Sequence, residues 1–257
     1  MKIRTSIFCF FLIFACAGIL LSRLDSLAVS DTALVRGTME ESEKGGNTRD
    51  GDDEIPEDNG EKKTWTIILD PGHGGNDPGK IGVNDVLEKD INLNIALYLQ
   101  EYLIGEGIQV IMTRTTDTGL YSEDASNKKA EDMKNRVALI GENDADLLVS
   151  IHQNSYTQEQ YAGAQVFYYT GSQEGQRLAC CVQESLICGA DPQNHRQAKE
   201  NSDYYLLKKS SVPAIICECG FLSNREECEK LSTPEYQKRI AQSISQGICQ
   251  YIRDSDR

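Results

Sequence analysis

Residues 64–257 predict an α/β fold, one domain with a mostly parallel twisted sheet and helices on both faces. Two patterns carry that expectation. Short β-branched apolar runs recur along the chain, and each is followed by a longer segment with apolar residues at helical spacing. Strands that alternate with helices feed crossover connections, which make strands parallel and lay helices on the sheet.

The elements follow in order. Thr64–Leu69 (TWTIIL) reads as a buried strand ended by the turn Asp70-Pro71-Gly72. Over 88–104, Ile91, Ile95, Tyr98, Leu99 and Tyr102 share a helical face, and Gly105 and Gly107 stop the pattern. Gln109–Thr113 is a second strand, and 128–142 is a helix with Met133, Val137 and Ile140 inward. Asp146–Ile151 (DLLVSI) is a third strand. Gln165–Tyr169 (QVFYY) reads as a strand with one exposed face, and Gln173–Cys188 as a helix. Ala214–Cys217 (AIIC) is a further apolar strand. Pro234–Ile252 closes the chain as a helix with Ile240, Ile244, Ile248 and Ile252 four apart.

The first 63 residues do not fit that domain. Residues 5–22 carry no charge, Lys2 and Arg4 precede them and Arg23 follows, so 1–30 read as an export segment. It is a signal peptide cleaved near Ser26-Leu27-Ala28 or an N-terminal membrane anchor. Arg23 and Asp25, standing between the apolar run and that site, favour the anchor. Bulky Phe14 argues against lipid attachment at Cys16. Residues 31–63 hold eleven acidic and five basic side chains and no aromatic, too polar to bury a core, and read as an acidic flexible linker.

Of the net charge of −14, the export segment contributes +2 and the linker −6, which leaves −10 on the domain. That balance excludes a nucleic-acid partner, which needs a basic face, and limits membrane contact to the N-terminal segment. The seven cysteines of the domain contain no C-x2-C pair, so a zinc ribbon is a poor reading. Several sit in apolar runs as small core residues, and no bridge is assigned.

Chemistry concentrates at one sheet edge. His73 follows the first strand and His152 the third; Glu218 ends a later strand, and Glu88 opens the helix after His73. In a parallel sheet the carboxyl ends of strands build the site. Two imidazoles and one carboxylate satisfy a catalytic zinc, which keeps one position open, while a second carboxylate works as the proton carrier. Each residue also has an ordinary explanation. A histidine after a strand can be a loop hydrogen-bonder, and an acid at a helix start favours the helix dipole by ~0.3–1 kcal/mol. Glu218 resists that treatment, because it interrupts an apolar strand where an unpaired carboxylate is costly. Cys217 and Cys219 flank it and point to the opposite face. His195 lies in a polar stretch without a partner and reads as a surface residue.

Taken together, these segments resemble the zinc-dependent N-acetylmuramoyl-L-alanine amidases of the type 3 family, over roughly residues 64–253. The resemblance rests on Ile68-Leu69-Asp70-Pro71-Gly72-His73-Gly74-Gly75, Leu87-Glu88-Lys89-Asp90, Met112-Thr113-Arg114, Arg136-Val137, Ser150-Ile151-His152-Gln153-Asn154, Gly163-Ala164-Gln165 and Glu218-Cys219-Gly220-Phe221-Leu222-Ser223-Asn224. It implies Zn2+ held by His73, Glu88 and His152, with Glu218 catalytic. It implies hydrolysis of the amide between N-acetylmuramic acid and L-alanine in peptidoglycan, outside the cytoplasm. Lys129-Ala130-Glu131-Asp132, Phe167-Tyr168-Tyr169 and the apolar N-terminus look most like the spore-cortex, germination-specific members, which prepare muramic acid for lactam formation. Cys219 departs from the Val or Thr often found there. Asn154 and Arg114 are candidate substrate contacts, with loop fixing and a structural ion pair as their respective alternatives. Two other functions remain open: a wall-binding protein that needs an activating partner to order its zinc site, and a zinc peptidase on the stem peptide.

Overall fold

The computed structural model describes residues 63–256. The expected export segment and the acidic linker lie outside these residues, apart from Lys63, which pairs with Asp146 at 2.6 Å and caps the ring of Trp65. No helix among the described residues is long and apolar enough to cross a membrane.

Six strands form one sheet in the order β2-β1-β3-β6-β4-β5. They are β1 (Thr66–Pro71), β2 (Gln109–Met112), β3 (Leu147–Asn154), β4 (Gln165–Tyr169), β5 (Lys199–Asn201) and β6 (Ala214–Phe221). β2, β1, β3 and β6 run parallel, whereas β4 pairs antiparallel with β6 and carries β5 parallel to itself. The mostly parallel α/β sheet is therefore present, and its four parallel strands deliver their carboxyl ends to one edge.

The two faces are covered unequally. On one lie α1 (Glu88–Gly105), α3 (Gln173–Gly189) and α6 (Pro234–Ser255). Strand residues such as Ile67, Leu69, Val149, Ile151, Ile215 and Cys217 meet Ile95, Leu99, Leu178, Val182, Ile244 and Ile248 in a large apolar core. The alternate residues Ile68, Leu148, Phe167 and Ile216 face α2 (Lys128–Glu142) and the five-residue α4 (Tyr205–Lys209), in a much smaller core. The seven-residue α5 (Arg225–Leu231) links β6 to α6.

Helix starts are written locally. The side chains of Asn127, Ser172, Asn224 and Thr233 cap α2, α3, α5 and α6 by accepting an amide of the first turn, and Pro234 follows Thr233 at the start of α6. α1 is the exception. Leu87 offers no cap, so the preceding loop supplies backbone carbonyls: the Glu88 amide donates to Lys80 and the Lys89 amide to Pro78.

Three expectations need correcting. β4 has no exposed face: Val166 and Tyr168 enter the large core while Phe167 enters the small one, because β4 is an interior strand between β6 and β5. β3 and β6 extend beyond their predicted ends, so His152 and Glu218 lie inside strands and stand opposite each other in the β3–β6 register. β5, α4 and α5 were unpredicted, being too short to show periodicity.

Tight packing of α3 on α6 gives a direct test. A Cβ on Gly247 would sit 2.5 Å from the Val182 backbone, whereas one on Gly141 would meet nothing within 4 Å. Gly247→Ala should cost about 1–3 kcal/mol by forcing the helices apart. Gly141→Ala should stabilise by about 0.5–1 kcal/mol. Thermal melts then move in opposite directions; equal shifts for both variants would refute this packing account.

Candidate active site

The loop after β1 is the centre of the site, and buried polar groups dictate its shape. Asp70 is fully buried. Its carboxylate accepts from Thr113 after β2 at 2.7 Å, from Ser150 on β3 at 2.6 Å and from Arg136 on α2 at 2.6 Å. Arg136 also donates to the carbonyls of Pro71 and His73 and pairs with Asp132. Burial pushes the Asp70 carboxyl up, but the Arg136 charge and these hydrogen bonds outweigh it and hold it at about 2. Arg114 comes from the β2 side. It is 4% exposed and gives four N–H bonds to the carbonyls of Pro71, Gly72, Lys89 and Thr116. All four bonds go to the loop and its neighbours, and Arg114 does not line the cavity. Lys89 adds a bond to the Gly75 carbonyl and an ion pair with Asp117.

So clamped, the loop holds His73 at φ 63°, a left-handed conformation that non-glycine residues adopt only at a cost. The His73 ring meets that of His152 edge-on at 4.9 Å. Glu88 Oε1 lies 3.2 Å from His73 Nε2 and 3.0 Å from His152 Nδ1. Ligand atoms of the three residues all fall within 4.8 Å of one another. Glycines allow this convergence. A Cβ on Gly72 would sit 2.2 Å from the His152 ring, and one on Gly79 would collide with both His73 and Glu88.

Behind the triad stands a set of partners that the sequence reading missed. Asp77 accepts from or shares a proton with His73 Nδ1 at 2.9 Å, which turns Nε2 toward Glu88. Orienting a ligand imidazole through its far nitrogen is the usual support of a metal site. The Lys80 amide donates to Glu88 Oε2, and the Gln153 amide and Asn92 side chain donate to Oε1. Asn92 in turn binds the Gly72 carbonyl and the Gln153 side chain. Burial opposes ionisation of Glu88, yet its contacts with His152 and His73 win and hold it well below the usual carboxylate range. Burial likewise opposes a charged His152, and Glu88 outweighs it and raises the imidazole.

Glu218 has the opposite environment. It is 8% exposed and faces the α2–α4 side, while Cys217 and Cys219 face the large core as expected. Oε1 accepts from the Tyr204 hydroxyl at 3.2 Å, and buried Oε2 has no hydrogen-bond partner. Burial pushes its carboxyl up, against the pull of His152 and with a further push from Glu88. Tyr204 is fixed by an edge-on contact with Phe167 at 5.5 Å. A cavity of about 400 Å³ reaches His73, His152, Tyr204 and Glu218. Asn154 sits half-buried at the end of β3, its side-chain oxygen accepting the Ser155 amide. His195 is exposed between α3 and β5. The seven cysteines of the described residues are all free.

This donor set fits zinc. Two imidazole nitrogens and a carboxylate oxygen converge, His73 and Glu88 are oriented by groups outside the triad, and an unpartnered carboxylate oxygen stands nearby. The family model described as N-acetylmuramoyl-L-alanine amidase (Amidase_3) matches residues 67–250, a span that contains every one of these groups. The chain belongs to the N-acetylmuramoyl-L-alanine amidase family.

Its relatives in that family agree in sequence and shape. The germination-specific N-acetylmuramoyl-L-alanine amidase of Bacillus subtilis (strain 168) is 40% identical over 191 residues, 73% of this chain and 80% of its own length. The CwlD amidase from Clostridioides difficile, solved in complex with the GerS lipoprotein, is 43% identical with a TM-score of 0.73, covering 74% of this chain and all of that one. An N-acetylmuramoyl-L-alanine amidase from Clostridium difficile 630 is 34% identical with a TM-score of 0.67, over 75% of this chain and 98% of that one.

The Asp70–Arg136 pair predicts acid lability. Asp70 lies near 2 when folded against an ordinary 3.8, so its ionised form favours the fold. That contribution, about 2 kcal/mol, is complete above pH 3.8 and is lost as pH falls through 2. Asp70→Asn should cost about 3 kcal/mol at pH 7, since Arg136 loses a buried partner. Denaturant titrations from pH 7 to pH 2 should show the gap between wild type and variant closing on acidification. A constant gap would contradict the assignment.

Proposed function

We propose that this amidase hydrolyses the amide joining the lactyl group of N-acetylmuramic acid to L-alanine, using zinc held by His73, Glu88 and His152. One observation carries the reading: a buried, unpartnered carboxylate oxygen on Glu218 lines the same cavity as two imidazoles that share the Glu88 carboxylate. Bound zinc supplies Lewis acidity toward the scissile carbonyl and lets water ionise near neutral pH. Glu218 takes the proton from the attacking water through Oε2 and returns it to the leaving alanine nitrogen. Tyr204, bonded to Oε1, keeps that carboxylate in one orientation. Asp77 orients His73, and Arg114 and Arg136 position the loop rather than touch substrate. Asn154, at the end of β3 beyond His152, bonds the Ser155 amide and remains a candidate substrate contact.

The similarity to a germination-specific amidase supports action in spore-cortex peptidoglycan, outside the cytoplasm of a sporulating cell. In this reading residues 1–30 export or anchor the chain, 31–63 tether it, and 64–257 form the catalytic domain. A relative solved in complex with a lipoprotein supports a protein partner for this chain too.

Purified full-length protein supplied with zinc should release intact stem peptides from muropeptides. Glu218→Gln should retain zinc and lose about 10²–10⁴-fold in kcat, whereas His152→Ala should lose the metal. Full activity in Glu218→Gln, or release of single amino acids, would sink the proposal. Tyr204→Phe should keep zinc and KM but lose about ten-fold in kcat. Because the Tyr204 bond lowers the Glu218 pKa, its loss should also move the acid limb of the pH profile upward. A KM change alone would mean that Tyr204 binds substrate instead.

A further inference from the structure

The cavity beside the triad is larger than one amide requires, and the rest of its lining has a chemistry of its own. Met133 of α2, Leu206 of α4 and Ile216 of β6 give it an apolar wall. Most of its charged groups are engaged within the chain. Asp70 and Asp132 bind Arg136, Asp77 binds His73, Lys128 binds Glu123 at 2.6 Å, and Glu218 accepts from Tyr204. Lys129 differs. It lines the cavity, is exposed, and forms no ion pair among the described residues, although its charge reaches Asp77. In a chain of net charge −14, Lys129 is a cation at the reaction cavity without an ion-pair partner among the described residues.

That charge discriminates between the two sides of the scissile bond. The glycan side is uncharged. The stem side is anionic, because its second residue, a glutamate joined through its side chain, leaves a main-chain carboxylate free. An apolar wall and a cation lining one cavity also match a stem that presents an alanine methyl and a carboxylate. On the amidase reading above, we infer that the α2–α4 part of the cavity is the stem-peptide subsite, with Lys129 as the counter-charge to the free carboxylate of the second stem residue. Lys129 is then a specificity-determining residue. It attracts the acid form of the stem and gains nothing from a stem whose carboxylate is amidated.

The test uses the zinc-loaded full chain and two N-acetylmuramoyl tetrapeptides, identical except that the second residue's main-chain carboxylate is free or amidated. The readout is the ratio of kcat/KM for the free to the amidated substrate, which is internal to each variant and insensitive to partial misfolding. Wild type should prefer the free acid, less so at high salt. Lys129→Glu should lower the ratio about ten-fold, chiefly through KM, since reversal turns an exposed attraction into a repulsion. Lys134→Glu makes the same charge change at an exposed position of α2 outside the cavity and should keep the wild-type ratio. An unchanged ratio in Lys129→Glu, or an equal fall in Lys134→Glu, overturns the subsite, even while wild type cleaves both substrates. If wild type cleaves neither, the amidase reading itself falls and the subsite with it.

Discussion

The buried carboxylate of Asp70 is the constraint on which the site depends. Three hydrogen-bond donors reach it from three different elements: Thr113 after β2, Ser150 on β3 and Arg136 on α2. A buried carboxylate with fewer partners would be an energetic liability rather than a joint. With all of them it fixes where β1 ends relative to its two neighbours and to the helix that borders the cavity. Arg136, anchored there, spends its remaining N–H groups on Pro71, His73 and Asp132. The loop's strained histidine is thus held by a buried ion-pair network, which is how a φ of 63° persists at a position that is not glycine.

The unequal coverage of the sheet explains where the cavity opens. Three long helices cover one face with a large apolar core, while α2 and the short α4 border the cavity on the other. His152 and Glu218 face that cavity because strand side chains alternate. Ile151 and Cys217, one residue earlier on each strand, enter the large core. A slip of one residue in β3 or β6 would turn His152 or Glu218 among the aliphatic side chains, so the packing of the large core also sets which face these two side chains reach.

The parts of this architecture legible in the sequence are those that repeat or sit at strand ends. The isoleucines of α6 announce a helix by their spacing, and His73, His152 and Glu218 stand out as polar residues at the limits of apolar runs. Asp77, Asn92 and Tyr204 carry no such mark. Asp77 is one acid in a polar loop, Asn92 an ordinary helical residue, and Tyr204 acts across fourteen positions through a helix too short for any periodicity. Their roles are created by tertiary contact. The same holds for Arg114. Its position beside a strand end suggests a ligand contact, yet the carbonyls that claim its guanidinium come from distant positions.

The two glutamates of the site show how environment divides labour between identical side chains. Both are nearly buried, so desolvation disfavours the charged form of each. Glu88 then receives two imidazoles and three N–H donors, which overcome that penalty and make it a permanent anion, the state a metal ligand requires. Glu218 accepts from only one hydroxyl, so burial, with the repulsion of Glu88, prevails over that bond and the pull of His152, and its proton affinity rises. A ligand must not be protonated, and a proton carrier must accept a proton readily. Separating two carboxylates in this way suits them to the two proposed roles without any difference in chemical type. Exchanging their surroundings, rather than their identities, would exchange their functions.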